Sequence, residues 1–168
     1  QIVLMTYPHI GNYGINKLDR ESDICFAKGL IVRENCFYPS NYASDESLDS
    51  YLKKNKVVGI SGIDTRKLVR IIRGDGSQKC IISQNKDLKK LKNKVDEYPS
   101  MKGRDLTLNA TCEKIHKISA ASNSKTIFVY DFGCKRNILR ILNQEYNLNL
   151  VIGPSDTDPE KVKEINPD

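Results

Sequence analysis

Short apolar runs alternate with stretches of helical periodicity along the first part of the chain, a pattern typical of α/β proteins. The apolar runs predict strands at residues 2–6, 27–33, 57–60 and 79–83, and apolar positions three and four apart predict helices at 46–54, 65–73 and 86–97. The run at 57–60 (VVGI) is uniformly apolar, so we expect that strand to be buried. Alternating strands and helices favour a mostly parallel sheet.

Capping residues set the expected ends of these helices. Ser44, Asp64 and Asn85 each precede a helical pattern and are predicted N-caps, because their side-chain oxygens can accept a first-turn N–H. Gly74 is expected to end the second helix and Pro99 the third, since glycine favours helix ends and proline cannot continue a helix.

Two cations, Arg66 and Lys67, fall in the first turn of the predicted helix at 65–73. The helix dipole disfavours cations there by about a few tenths of a kcal/mol. Either an acidic partner or simple tolerance of a small cost explains their presence.

The last part of the chain repeats the β-α pattern after a small, polar segment without periodicity. We therefore expect a first domain at residues 1–118, a linker at 119–124 and a second domain from 125 to 168. Strands are predicted at 126–130 and 148–152, a helix at 135–146 with Ile138, Ile141 and Leu142 facing inward, and a short helix begun by Asp158 and Pro159. These are the first β-α units of an open, mostly parallel sheet, and we expect the rest of that sheet to lie outside this chain.

Composition places the chain among ordinary globular proteins, with 39% hydrophobic and 29% charged residues in a total of 168. No apolar run approaches the roughly 20 residues that cross a bilayer, so we expect no membrane partner. The five cysteines include no CxxC spacing, which argues against a disulfide framework and a zinc ribbon and favours a reducing cytoplasm.

The net charge of +6 is concentrated in residues 1–124, because the segment from Lys125 onward has six basic and seven acidic residues. A basic balance can indicate a nucleic-acid partner, but a Lys- and Asn-rich background composition with one charged surface for a protein partner is the better interpretation. The five lysines at 86–94 surround an apolar seam without interleaved aromatic residues, which favours a solvated helix face over a nucleic-acid site.

The best-placed candidate for chemistry is the turn after the strand at 126–130. Functional crevices in parallel sheets lie beyond the carboxyl ends of the strands, and Gly133 permits a sharp turn there. Lys135 follows at the mouth of a helix, where it can meet an anionic group or an oxyanion; a merely solvent-exposed lysine is an equally good interpretation.

Two other candidates are weaker. Cys134 lies near a helix N-terminus, but neither His9 nor His116 is placed by any motif to act as its base, so a packed thiol is the better interpretation. Cys112 and His116 are four residues apart, yet two ligands without further spacing do not make a metal site.

Three motifs together carry a family resemblance: YPHIGN at 7–12, IDTRKL at 63–68 and YDFGCKRNILR at 130–140. In this order and spacing they resemble the small subunit of carbamoyl phosphate synthetase. The resemblance implies an N-terminal α/β domain, of which residues 1–118 are the latter part, followed by the start of a class I glutamine amidotransferase domain.

The resemblance also implies a function. Small subunits of this family hydrolyse glutamine and pass ammonia to a large subunit, which uses ATP, Mg and bicarbonate to make carbamoyl phosphate for arginine and pyrimidine synthesis. The chain itself is then expected to bind no cofactor and to contact glutamine and the large subunit.

For the site residues, the resemblance places the catalytic cysteine, histidine and glutamate beyond Asp168, so we expect the chain alone to be inactive. It leaves Lys135 as the one neighbour of the glutamine pocket. A non-enzymatic module that docks a synthetase partner and a basic nucleic-acid binder remain the alternatives.

Overall fold

The computed structural model describes residues 1–121 and 124–168, which form two compact units, Gln1–Met101 and Lys102–Asp168. The units divide earlier in the chain than the linker expected at 119–124. Residues 122 and 123 of that linker lie outside the described residues, and the domain boundaries at 118 and 125 stay a prediction.

The first unit is built on two small parallel sheets. Strands β1 (Ile2–Leu4), β3 (Gly29–Ile31) and β5 (Val58–Ile60) form one sheet in the order β1-β3-β5, and β2 (His9–Ile10) pairs with β4 (Glu34–Asn35) in the other. The helices are α1 (Leu48–Lys54), α2 (Thr65–Asp75) and α3 (Leu88–Glu97). The predicted parallel arrangement is therefore confirmed for this unit.

The prediction that the strand at 57–60 is buried is wrong. Val57 is buried, but Val58 is 52% exposed and Ile60 is 37% exposed. Strand β5 stands at the end of the order β1-β3-β5, with a single strand neighbour among the described residues, and so its side chains receive cover from one side only. A uniformly apolar run does not reveal whether its strand is central or at an edge.

No strand forms at 79–83, where one was predicted. This segment pairs with none of the described strands, and instead Lys79 Nζ donates to the Asp96 carbonyl at 3.1 Å. The Ile82 side chain packs over Gly29, where an added Cβ would lie 3.0 Å from Ile82 Cδ1. Ile82 thus covers the sheet, whereas Ile81 of the same segment is 41% exposed, and the segment does not extend the sheet.

Helix α2 begins where the sequence predicts. The Asp64 carboxylate accepts the Lys67 N–H at 3.0 Å and caps the helix. The helix passes through Gly74, its expected end, and finishes at Asp75 because Gly76 adopts a φ of +79° that breaks the helical path.

The other two predicted caps in this unit are wrong by a few residues. Ser47, not Ser44, caps α1, and Asp87, not Asn85, caps α3. Asn85 accepts the N–H of Asp87 instead, at 2.9 Å. Several neighbouring side chains can accept an N–H at each site, and the path of the chain decides which one does.

The second unit has a three-stranded sheet in the order β6-β8-β7. Strand β7 (Thr126–Asp131) and β8 (Asn149–Pro154) are parallel, as predicted, and helix α4 (Arg136–Gln144) connects them. Strand β6 (His116–Ile118) runs antiparallel to β8 and was not predicted. Helix α5 (Pro159–Ile165) begins after its predicted cap Asp158.

The core of the second unit lies on β8, the central strand, where Leu150, Val151 and Ile152 are buried. Helix α4 contacts this strand through the face that holds the half-buried Ile141 and Leu142. Ile138 was expected on the same face but is 49% exposed. It lies on the first turn of α4, which is less covered than the turns that follow.

No helix within residues 1–121 and 124–168 is long and apolar enough to cross a membrane. The described architecture is a mixed α/β one with small, mostly parallel sheets.

Candidate functional site

The candidate site is the sheet edge where β7 and β8 end. These parallel strands pair from Thr126 with Asn149 to Asp131 with Pro154, so their carboxyl ends lie side by side. The turn that leads into α4 leaves from this edge, as the sequence predicts for the functional side of a parallel sheet.

Asp131 organises the turn at the end of β7. Its Oδ1 accepts the N–H of Gly133 at 2.9 Å and that of Cys134 at 2.7 Å. Its Oδ2 accepts the N–H of Cys112 at 2.7 Å from a segment far away in the sequence. Partial burial raises the pKa of Asp131, but the N–H donors of Cys134, Gly133 and Cys112 outweigh it and lower that pKa overall. Asp131 is therefore a structural anion.

Gly133 is required by the backbone at this turn. Its φ is +93°, a region that L side chains rarely adopt. An added Cβ would also lie 3.2 Å from the Cβ of Ala110, because the segment before β6 packs against the turn. Both observations explain the glycine that the sequence singled out.

Thr111 connects the segment before β6 to the residue that follows β8. Its hydroxyl oxygen accepts the N–H of Ser155 at 2.8 Å. A short 3-10 helix, Thr107–Asn109, leads into this contact. No local sequence pattern predicts a role for the segment 107–112. The Asp131-x-Gly133 spacing, which is typical of an Asx turn, predicts only the hydrogen bonds within the turn itself.

Lys135 stands at the N-cap position of α4, with φ −68° and ψ 136°. Its side chain is exposed, caps no N–H, and has no ion pair or hydrogen bond with any described residue. The predicted cation therefore lies next to the carboxyl edge of β7, with its ammonium group free to meet an anion.

The surroundings of the two cysteines of this site disfavour the thiolate form. Burial, and after it the negative charge of Asp131, raise the pKa of the Cys134 thiol. Burial and Asp131 raise the pKa of Cys112 in the same way. A raised pKa lowers the fraction of reactive thiolate, so the environment opposes the activation that a catalytic cysteine needs.

Cys112 and His116 do not form a metal site with other ligands. Within the described residues, no group of three or more His, Cys, Asp or Glu side chains is arranged to hold a metal ion. The His116 ring lies 3.3 Å from the carbonyl of Lys114, a local contact on an exposed strand.

The first unit contains a separate groove of about 290 Å³ between α1 and the strands β3 and β5. Its lining is mainly apolar and includes Leu30, Val32, Leu52 and Val57. The charged residues at its rim, Asp49 and Lys53, pair with each other at 2.7 Å. Because these two rim charges pair with each other, the groove is better suited to bind an apolar group than to catalyse a reaction.

The chain is similar to known proteins along its whole length. Residues 1–82 match the family described as carbamoyl-phosphate synthase small chain, CPSase domain. Similar curated proteins include the carbamoyl phosphate synthase small chains of Syntrophotalea carbinolica, Clostridium perfringens and Salmonella typhimurium, which are 44%, 41% and 39% identical. Each alignment covers 100% of this chain and 48%, 47% and 48% of these relatives.

The chain thus spans about half the length of the curated relatives it matches. The similarity extends beyond residue 82 through the candidate site to the last residue described here. The resemblance suggested by the three sequence motifs is therefore confirmed: the chain is similar along its whole length to carbamoyl phosphate synthase small chains, and its first 82 residues match that family.

Proposed function

We propose that this chain is part of a small subunit that hydrolyses glutamine and supplies the ammonia to a carbamoyl phosphate synthase large subunit. The similarity to proteins that are named as small chains of that synthase supports this proposal. The large subunit would use the ATP, Mg and bicarbonate, and the product would serve arginine and pyrimidine synthesis. The free cysteines suit a reducing compartment such as the cytoplasm.

The observation that carries the proposal is the free ammonium group of Lys135 beside the carboxyl edge of β7. In the proposed site this cation borders the glutamine pocket and stabilises an anionic group of the bound substrate. The turn before Lys135 is held in place, because the Asp131 carboxylate accepts the N–H groups of Gly133 and Cys134. A preorganised turn places the cation without reorganisation when substrate binds.

Glutamine hydrolysis by thiolate attack needs a nucleophile that this site lacks. The raised pKa values of Cys112 and Cys134 oppose such a role. We therefore propose that the catalytic cysteine, histidine and glutamate are contributed by sequence outside residues 1–168, and that the present chain alone does not release ammonia.

The test is reconstitution of the full-length small chain with its large chain. The proposal predicts carbamoyl phosphate synthesis from glutamine by the complex and none from glutamine by the large chain alone. Synthesis that depends on free ammonia but never on glutamine, with both chains folded and associated, would contradict the glutaminase assignment.

A second candidate is a non-enzymatic module that docks a synthetase partner. The exposure of large aromatic residues in the first unit favours it: Tyr7, Tyr13, Tyr38 and Tyr42 are 75%, 70%, 88% and 102% exposed. Aromatic side chains of this kind are enriched at protein interfaces. Association without glutaminase activity in the reconstituted complex would favour this candidate over the first.

A further inference from the structure

Helix α2 carries a row of three arginines on one face. Arg66, Arg70 and Arg73 follow the spacing i, i+4, i+7, so they lie within one narrow arc of the helix over about 10 Å of its length. All three side chains are exposed. The half-buried residues Leu68 and Ile72 lie on another side of the helix.

The arginine row has no counter-charge in its own unit. In the part of the chain that the structure describes, none of the three guanidinium groups forms an ion pair or a hydrogen bond. Asp64 is engaged as the N-cap through the Lys67 N–H at 3.0 Å. Asp75 projects about 180° away from Arg66 by helical geometry.

This arrangement opposes the stability of the isolated helix. Like charges at i, i+4 repel one another, and Arg66 lies in the first turn, where the dipole disfavours a cation. An external anion that pairs with the row relieves both effects.

We propose that this face of α2, the arginine row, docks a carboxylate-rich surface of a partner protein. Guanidinium groups bind carboxylates through paired hydrogen bonds, and arginine is enriched at protein interfaces whereas lysine is depleted. Three cations spaced about one helical turn apart match carboxylates with the same spacing on a partner helix. The inference rests on the proposed function only for the identity of the partner, which is then the synthetase large chain.

Two other ligands fit the row less well. A phosphate at the helix N-terminus would meet the Asp64 carboxylate, which already occupies that end. A single-stranded nucleic acid would call for aromatic side chains between the cations, on which bases stack, and α2 contains none.

The test measures binding of the full-length small chain to its large chain by titration of a fluorescent label. The variant is Arg70→Glu with Arg73→Glu, and the matched control is Lys89→Glu with Lys92→Glu on α3. Both pairs are exposed and spaced i, i+3, and neither forms an ion pair with any described residue. The two double variants also change the net charge by the same amount. Circular dichroism checks that both variants fold, and Arg70→Gln with Arg73→Gln provides a milder change.

The proposal predicts that the α2 charge reversal weakens binding by about tenfold or more, with a smaller loss for the glutamine variant and little change for the α3 control. The loss should shrink as salt rises from about 0.05 to 0.5 M, since screening weakens the wild-type contact. Equal weakening by the α2 and α3 variants would overturn the proposal, because it would show a response to net charge alone.

Two probes separate failure of this inference from failure of the proposed function. The first is a 20-residue helical peptide with glutamates at i, i+4 and i+7, and the second is a labelled 20-nucleotide single-stranded DNA. If the wild-type chain binds the peptide through the arginine row but does not bind the large chain, the docking surface is supported and the large chain is ruled out as its partner. If the row binds the DNA and not the peptide, the protein-docking proposal is overturned in favour of nucleic acid.

Discussion

The Asp131 carboxylate accepts the backbone N–H of Cys112 at 2.7 Å, although the two residues are 19 positions apart. Together with its two bonds inside the turn, this contact makes Asp131 the link between the segment before β6 and the carboxyl end of β7. The backbone geometry that leads to Lys135 thus depends on the hydrogen bonds of Asp131.

Replacing Asp131 by Asn should destabilise the protein by about 1–3 kcal/mol, because an ionised acceptor of three N–H groups becomes a neutral one. Chemical denaturation measures the change in the free energy of unfolding. Asp156→Asn is the control, since Asp156 is exposed and has no partner among the described residues. Equal stability of the two variants would contradict the linking role of Asp131.

The contribution of Asp131 should also depend on pH. Its pKa is lowered in the folded protein, so the stabilisation is fully present above the unfolded-state pKa of about 3.9 and is lost as the pH falls through the folded value. The difference in unfolding free energy between wild type and Asp131→Asn should be constant from about pH 5 to 8 and shrink below about pH 4. A difference that stayed constant down to about pH 2 would argue against an ionised Asp131.

Much of the candidate site at the carboxyl ends of β7 and β8 can be predicted from the sequence. The rest depends on contacts between residues that are distant in the sequence. The strand at 126–130, the glycine turn and the helix after it were all predicted, because an apolar run, Gly133 and helical periodicity are local signals. Cys112 and Thr111 were not, since nothing near them in the sequence shows that they reach β7 and β8. The antiparallel β6 escaped prediction for the same reason.

The first unit shows the same limit. The cap at Asp64 was predicted correctly from a local pattern, whereas the apolar run at 79–83 was mistaken for a strand. That run satisfies the pattern of a strand, but its Ile82 side chain packs over Gly29 instead. Whether an apolar run pairs with a sheet or covers it is decided by tertiary contacts.

Gly133→Ala should destabilise the protein by about 1–3 kcal/mol, because a φ of +93° is unfavourable for alanine and its Cβ would press against Ala110. Thermal unfolding measures the loss. Gly74→Ala is the comparison: Gly74 lies inside α2 with open space around it, so alanine there should stabilise by about 0.5–1 kcal/mol. The two substitutions are therefore expected to change the stability in opposite directions. No change in stability for Gly133→Ala would contradict the conformational requirement for glycine at this turn.

Alkylation by iodoacetamide at about pH 8 should modify Cys80 faster than Cys112 or Cys134. Cys80 is exposed, whereas burial and the charge of Asp131 raise the pKa of the other two thiols. Mass spectrometry of peptides at short reaction times gives the order. Fastest modification of Cys134 would reveal an activated thiol and would reopen its candidacy as a nucleophile.

The most direct test of the account is Lys135→Met in the full-length small chain assembled with its large chain. We expect the rate of carbamoyl phosphate synthesis from glutamine to fall by about tenfold or more, because the substrate loses its cation, while synthesis from free ammonia changes little. Lys125→Met is the matched control, since Lys125 is also exposed but lies before the opposite end of β7. Equal loss of the glutamine- and ammonia-dependent rates, or no loss of either, would contradict the placement of Lys135 at the glutamine site.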